Sequence, residues 1–241
     1  MNISVCMASY NGAEFIEEQL RSILNQLDDT DELIIVDDCS KDDTIEKIKI
    51  INDSRISVFK NETNKGHVFT FGRAISLTNN DIIFMSDQDD IWLEDRVYIM
   101  KKELTDNGSL LVSSNTNFIN SRGEVLDYKM QGVKSQNSKK NLKNIIDIYL
   151  GKENYYGCAM AFKKELKQLI LPIPSYVESH DLWIAKAANL INSNTHCDKI
   201  TLSRRVHGNN ASIIKRPFLI KLWARIIFTR SIFQLIYRSF K

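Results

Sequence analysis

The stretch Asp81-Ile82-Ile83-Phe84-Met85-Ser86-Asp87-Gln88-Asp89-Asp90-Ile91-Trp92 decides how this chain is read. An apolar run of strand length ends in three carboxylates within four residues, followed by an aromatic. Carboxylates this close repel one another, so something must offset their charge. A hard divalent cation bound through oxygen does so, and Mg²⁺ in such sites keeps waters and bridges substrate phosphates. Open α/β sheets hold their ligands at the carboxyl ends of the strands. The stretch therefore reads as a metal–diphosphate site. Its plain alternative is a solvated acidic turn that caps the following helix.

Two earlier strands end in the same way. Glu32-Leu33-Ile34-Ile35-Val36 runs into Asp37-Asp38-Cys39-Ser40-Lys41-Asp42-Asp43-Thr44, and Ile3-Ser4-Val5-Cys6-Met7-Ala8 runs into Ser9-Tyr10-Asn11-Gly12. Three ligand-capable strand ends within the first ninety residues suggest one edge of one sheet.

Around these ends the hydrophobic pattern alternates between strand and helix periods. Strands are expected at 3–8, 33–36, 56–59, 82–85 and 110–115, and helices at 13–27, 43–52, 67–77 and 93–107. Helices of ten to fifteen residues between strands imply βαβ units. The fold class is therefore α/β, a Rossmann-like, mainly parallel sheet flanked by helices. Beyond Asn120 the regularity fades. A polar loop is expected over 121–140, a helix over 142–150, a small-residue strand over 156–162, a helix from His180 to Leu190 and a strand over 200–206.

Length and composition fit one domain with a C-terminal appendage. The chain has 241 residues, 43% hydrophobic and 26% charged, ordinary values for a globular protein. Net charge is +2, which gives no reason to expect nucleic acid. From Lys215 to Lys241, however, seven basic residues stand without an acid. The opening residues enter a strand at once instead of a basic and then apolar leader. No 18-residue uncharged apolar run is present. Cys6, Cys39, Cys158 and Cys197 show neither CxxC pairing nor zinc spacing. Reduced thiols in a cytoplasmic protein are expected.

With these residues in place, the chain resembles the family 2 inverting glycosyltransferases of the GT-A fold, and within them the bacterial rhamnosyltransferase-like branch. The resemblance runs in order over roughly 1–212. It rests on Ala8–Gly12, Val36–Thr44, Asn64-Lys65-Gly66, Ser86–Trp92, Gly157–Phe162, His180-Asp181-Leu182-Trp183 and Arg205-Val206-His207-Gly208-Asn209-Asn210. It implies a GT-A domain over 1–212 and a basic amphipathic helical tail over 213–241. It also implies transfer of a sugar from a UDP- or dTDP-linked donor to a hydroxyl of a saccharide or lipid-linked acceptor. The setting implied is cell-surface polysaccharide synthesis, as in lipopolysaccharide or capsule.

Residue by residue, the resemblance sets Ser9, Tyr10 and Asn11 beside the base and ribose. Asp38 would accept from the pyrimidine ring N–H, with Asp37 as the competing candidate. Asn64, Gly66 and Arg73 fall near the diphosphate, and Lys65 is an alternative to Arg73. In the Asp-x-Asp pattern Asp89 is the metal ligand for Mg²⁺ or Mn²⁺, and Asp87 leans toward ribose or metal-bound water. Asp90 is open to a helix-capping role. His207 reaches the metal or diphosphate, and Arg205 is a phosphate partner. Asp181 is the general base that inversion requires, with Glu178 in reserve. His180, where many relatives carry Glu, adds an orienting contact. Ser40 and Asp43 read as caps of the helix that follows.

Other classes fit less well. A receiver domain carries its Asp pair after its first strand, and a Rossmann dehydrogenase needs GxGxxG, which is absent. The alternative of another class is a catalytically silent binding or assembly module with the same fold. In the tail, Phe218, Leu219, Leu222, Ile226 and Ile227 lie at helical spacing with Lys221, Arg225 and Arg230 between them. Such a helix suits an anionic membrane surface, which predicts a peripheral protein at the inner face of the plasma membrane. The other outcomes are packing on the domain, or on a second copy in a homodimer.

Overall fold

A computed structural model describes residues 1–128, 132–152, 154–207 and 218–240, the last group without the side chains of 218–222. The first half alternates in order: β1 (Ile3–Ser9), α1 (Ile16–Leu24), β2 (Glu32–Asp37), α2 (Thr44–Ile51), β3 (Ile56–Lys60), α3 (His67–Leu77) and β4 (Ile82–Ser86). Then follow β5 (Ile91–Trp92), α4 (Arg96–Asp106), β6 (Leu111–Ile119), β7 (Val125–Leu126), α5 (Asn141–Leu150), β8 (Met160–Lys163), α6 (Lys167–Ile170), α7 (His180–Leu190), β9 (Asn194–Arg205) and α8 (Phe218–Ser239).

Among the described residues the strands form one sheet in the order β3-β2-β1-β4-β8-β6-β9-β5, with β7 on β6. The first four are mutually parallel. β8 runs antiparallel to both β4 and β6, whereas β9 runs parallel to β6. β1 lies between β2 and β4, so the chain leaves it in one direction and returns on its other side. That reversal is the switch point at which α/β sheets open a ligand crevice.

Alternation along each strand feeds two cores. Val5 and Met7 pack on the side of Ile16, Leu20 and Ile23 from α1. Cys6, Ile83 and Met85 pack on the other side, against Phe71 and Ile75 from α3 and Trp183 from α7. A strand covered on both faces reads as continuous apolar sequence, which is why β1, β2 and β4 stand out in the chain.

Several expectations are corrected. The 121–140 loop contains β7, which pairs back on β6 through a turn in which the Asn120 side chain accepts from the Arg122 and Glu124 amides. The strand expected over 156–162 opens instead with a 3₁₀ turn at Gly157–Ala159. The last strand starts six residues early, at Asn194, because it pairs along all of β6. Ser40 does not cap α2; its amide and hydroxyl both donate to Asp37.

Helix α8 lies against α6 and α7. Leu235 and Ser231 are fully buried. Arg238 donates to the carbonyls of Leu169 and Pro172, and Arg230 stacks over Tyr176.

Candidate active site

Register brings the strand ends together. Ser9 stands opposite Asp37, and Met7 opposite Ser86. β8 runs antiparallel to β4, so the turn ahead of it lies beside the acidic end of β4. β5 pairs with β9 at Ile91↔Ser203, which sets Arg204 and Arg205 beside Asp89 and Asp90.

The Asp37-Asp38 pair organises loops. Asp37 is fully buried and accepts from Ser9 Oγ at 3.2 Å, the Ser40 amide at 2.9 Å and Ser40 Oγ. Asp38 accepts from Asn61 Nδ2 at 2.7 Å and from the Lys65 and Gly66 amides, each at 2.8 Å. It thereby folds the Asn64-Lys65-Gly66 loop over the end of β2. Gly66 has φ of +82°, a conformation open to glycine at little cost. Arg73 donates to the Lys60 carbonyl and to Asn61 Oδ1 at 2.6 Å, so it braces the same corner. Asn64 and Lys65 are exposed at its rim.

The β1 loop is fixed from below. Gln88, which the sequence reading passed over, donates its amide to the Tyr10 carbonyl and accepts from the Tyr10 amide at 2.8 Å. A Cβ at Gly12 would fall 2.2 Å from that Gln88 oxygen, so any side chain there displaces the clamp. Asn11 donates its amide to Ser40 Oγ and accepts from the Lys41 amide. Tyr10 is left with its ring exposed above the crevice.

The second acidic end is different. Asp87, Asp90 and Cys158 bring one ligand atom each to within 4.8 Å of one another. Burial first, then the neighbouring Asp89, pushes the Asp87 carboxyl up to about 6, against the pull of Arg204. Burial, Asp89 and Asp87 also hold Asp90 well above the usual carboxylate range. Asp90 Oδ1 accepts from the Arg205 amide, while Oδ2 has no hydrogen-bond partner. Asp89 Oδ2 accepts from His207 Nε2 at 2.8 Å, and the His207 ring lies 5.2 Å from Phe15. Crowded, desolvated carboxylates with an orphaned oxygen and an adjacent imidazole suit a hard divalent cation. Among the described residues Asp87, Asp90 and Cys158 form the cluster that could hold one, and Asp89 with its partner His207 adjoins it.

Arg205, expected as a phosphate partner, lies buried beside the acidic turn. It is 2% exposed, and its guanidinium donates to the carbonyls of Asp89, Asn120 and Ser121 and to Glu18 Oε2. It ties β9 to the acidic turn. Its neighbour Arg204 carries the charge of the site. Burial works against that charge, yet Cys158, Asp87 and Asp90 hold its pKa above the ordinary value. The Arg204 guanidinium lies 4.7 Å above the Tyr156 ring. In sequence the two arginines differ only by strand alternation, and nothing there showed which one faced the carboxylates.

Asp181 opens α7 across the crevice. Ser179 is the helix N-cap, accepting from the Leu182 amide, and Asp181 Oδ1 accepts from the same amide at 2.8 Å. Burial raises the Asp181 pKa, opposed by that amide, by Arg204 and by His67. The Asp181 charge also raises the pKa of Asp87 across the site. His180 turns inward, stacked 4.1 Å from Phe71 with neither ring nitrogen hydrogen-bonded. Gly157 allows this: a Cβ there would lie 2.7 Å from His180 Nε2. Glu178 is exposed. Gly208, Asn209 and Asn210 lie outside the described residues.

Comparison with known proteins agrees with this arrangement. The model of the family described as "Glycosyl transferase family 2" matches residues 4–170. The dTDP-rhamnosyl transferase RfbG of Shigella flexneri is 31% identical over 219 residues, 85% of this chain and 72% of that protein. The UDP-Glc:alpha-D-GlcNAc-diphosphoundecaprenol beta-1,3-glucosyltransferase WfgD of Escherichia coli is 30% identical over 123 residues. That match covers 51% of this chain and about half of WfgD. Among solved structures, S. aureus TarS 1-349 in complex with UDP-GlcNAc superposes with a TM-score of 0.70 at 17% identity. It covers all of this chain and 73% of TarS 1-349. A mostly parallel sheet with a crevice at its switch point, an acidic turn at the end of β4 and a facing aspartate on α7 are thus the parts of a nucleotide-sugar glycosyltransferase of the GT-A fold, and the chain belongs to glycosyl transferase family 2.

Proposed function

We propose that the chain moves a sugar from a UDP- or dTDP-linked donor to a hydroxyl of a saccharide or lipid-linked acceptor, with inversion, in bacterial surface polysaccharide synthesis. The observation that carries this is the placement of two unlike acidic groups in one crevice. Asp87 and its neighbours are crowded and desolvated, whereas Asp181 faces them singly from a helix N-terminus. The names of RfbG and WfgD, a dTDP-rhamnosyl and a UDP-glucosyl transferase, support the donor class.

On this reading the nucleotide lies over Ser9, Tyr10 and Asn11, with the Asp38-held loop at its edge. Asp38 orders Asn64 and Gly66, and reads the base through the lone pairs its loop contacts leave. Arg204 faces the diphosphate. A bound Mg²⁺ or Mn²⁺, held by Asp89, Asp87 and His207, would neutralise charge on the leaving diphosphate. Asp181 removes the proton of the acceptor hydroxyl as its oxygen attacks the anomeric carbon. The electron pair of the breaking bond leaves with the diphosphate oxygen, and the proton stays on Asp181. Burial makes Asp181 a stronger base than a solvated aspartate.

We also read the protein as cytoplasmic and peripheral, at the inner face of the plasma membrane, held through 213–241. In keeping with this, no helix among the described residues is long and apolar enough to cross a membrane. A screen of UDP- and dTDP-sugars by thermal shift and hydrolysis, with product anomers read by NMR, tests the proposal. We expect one donor class to bind only with Mg²⁺ or Mn²⁺ and to give inverted product. Retained configuration, or unchanged turnover in EDTA, would reject it.

A further inference from the structure

Part of the basic charge of α8 is held against aromatic rings of the domain. Three of its described arginines stack on rings of the domain: Arg225 over Tyr149, Arg230, itself exposed, over Tyr176, and Arg238 over Trp183 and onto two carbonyls. Its outward face carries Trp223, Ile226, Phe233, Ile236 and Tyr237, from 37% to 68% exposed. Arg230, also exposed, lies among them, yet soluble proteins seldom leave so many large apolar side chains uncovered on one face.

Helix α5 repeats the pattern beside it. Leu142, Ile146, Tyr149 and Leu150 are exposed at i, i+4, i+7 and i+8, one face of a helix. Asn144 and Ile148 point the other way, into the protein. The two faces meet at Tyr149, whose ring packs edge-on against Phe228 of α8 at 5.3 Å. Charge surrounds the α5 side. Residues 134–152 hold five lysines and one acid, Asp147, which is paired with Lys143. Glu153, next in sequence, lies outside the described residues. Lys134, Lys140, Lys143 and Lys152 line an open cavity of about 600 Å³ with Asn137 at its wall.

We propose that α5 and α8 form one composite face that docks on an anionic phospholipid bilayer. The apolar stripes enter the headgroup region, and the lysines of residues 134–152 meet the lipid phosphates. Apolar residues rimmed by lysines are the chemistry of an interfacial contact. A second copy of the chain would bring its own lysines to the same face, so like charges would oppose a symmetric pairing. The inference rests on the peripheral reading above and adds the lysines beside α5 to the cations of the tail.

Flotation of the full chain with vesicles of phosphatidylcholine, alone or mixed with phosphatidylglycerol, tests this. The wild type is expected on the mixed vesicles only, with binding that weakens as salt rises. Lys139→Gln with Lys140→Gln should weaken binding about 25-fold, about fivefold per charge, equivalent to about 1 kcal/mol each. Leu142→Ser with Ile146→Ser, and Phe233→Ser with Tyr237→Ser, should each weaken it by about tenfold or more. All are surface changes, and divalent-dependent UDP binding in the same variants reports on the fold and the donor site. If the α8 variants lose the vesicles while both α5 variants keep them, the composite face is rejected and the tail alone binds. If the wild type floats with neither vesicle and the α8 variants dissolve a dimer, the face joins copies of the chain instead.

Discussion

The two acidic strand ends look alike in sequence and do opposite things. After β2, Asp37 and Asp38 are surrounded by donors: two serine hydroxyls, an asparagine amide and three backbone N–H groups. After β4, Asp87 and Asp90 are surrounded by other carboxylates and a thiol, and Asp90 keeps one buried oxygen without a partner. A carboxylate satisfied inside the protein orders the loops around it. Crowded carboxylates with few donors are poised for a ligand that brings positive charge. The difference lies in which residues the fold packs around each pair.

The sharpest way to use that contrast is to neutralise one carboxylate at a time. Asp181→Asn, on the facing helix, should lower kcat by about two to four orders of magnitude with donor affinity almost unchanged. The acid limb of its pH profile, which the raised pKa places above the usual aspartate value, should vanish. If Glu178→Gln does the damage instead, the base is misassigned. Asp89→Ala should cost about three orders of magnitude, several kcal/mol of lost charge stabilisation, and abolish Mn²⁺ binding followed by electron paramagnetic resonance. Mn²⁺ bound as in the wild type would break the contrast, because the β4 turn would then be structural too.

The neighbouring arginines give a smaller effect with two distinct readouts. Arg204→Ala should weaken nucleoside-diphosphate binding by about 10- to 150-fold, the worth of a charge-assisted contact, with the melting temperature nearly kept. Arg205→Ala should instead cost about 1–3 kcal/mol of stability, since it leaves three carbonyls without their donor, whereas Glu18 is exposed. Reversed outcomes would return the phosphate role to Arg205. Asp37→Asn should remove about 1.5–3 kcal/mol of stability while Mn²⁺ binding at the other strand end persists.

The smallest effect is a slope in pH. Burial, with His67, pushes His180 down to about 3, and burial pushes His196 down to about 4. Both stay neutral in the folded chain while the unfolded chain protonates near 6.5. Below that value unfolding takes up protons, so stability falls as pH drops from about 6.5 toward 4 and 3. The slope approaches about 1.4 kcal/mol per pH unit for each histidine. Thermal melts across this range should show it, and His180→Phe should make it shallower. A flat profile in the wild type would mean that water or a neighbour reaches these rings.

The fold was legible because its signals are local. Strands covered on both faces must be apolar throughout, and helices that pack on one side must repeat every 3.6 residues. From Ile3 to Leu77 the expected and observed elements therefore coincide, apart from their ends. The 3₁₀ turn at Gly157 was hidden, since its small residues fit a strand equally well until β8 pairs antiparallel with β4. The stacking of the α8 arginines was hidden too, because three aromatic rings from distant segments decide it.

By itself the sequence determined the α/β class, the strand ends that carry chemistry and the family to which they belong. It held the carboxylates, but not their surroundings. Which of Asp37, Asp38, Asp87 and Asp90 is satisfied, which of Arg204 and Arg205 faces the crevice, and which side of α8 meets solvent were decided only by tertiary structure. The physical reason is that desolvation and hydrogen bonding depend on neighbours tens of residues away in the chain. A residue's type fixes what it can do, and the packing around it fixes which of those things it does.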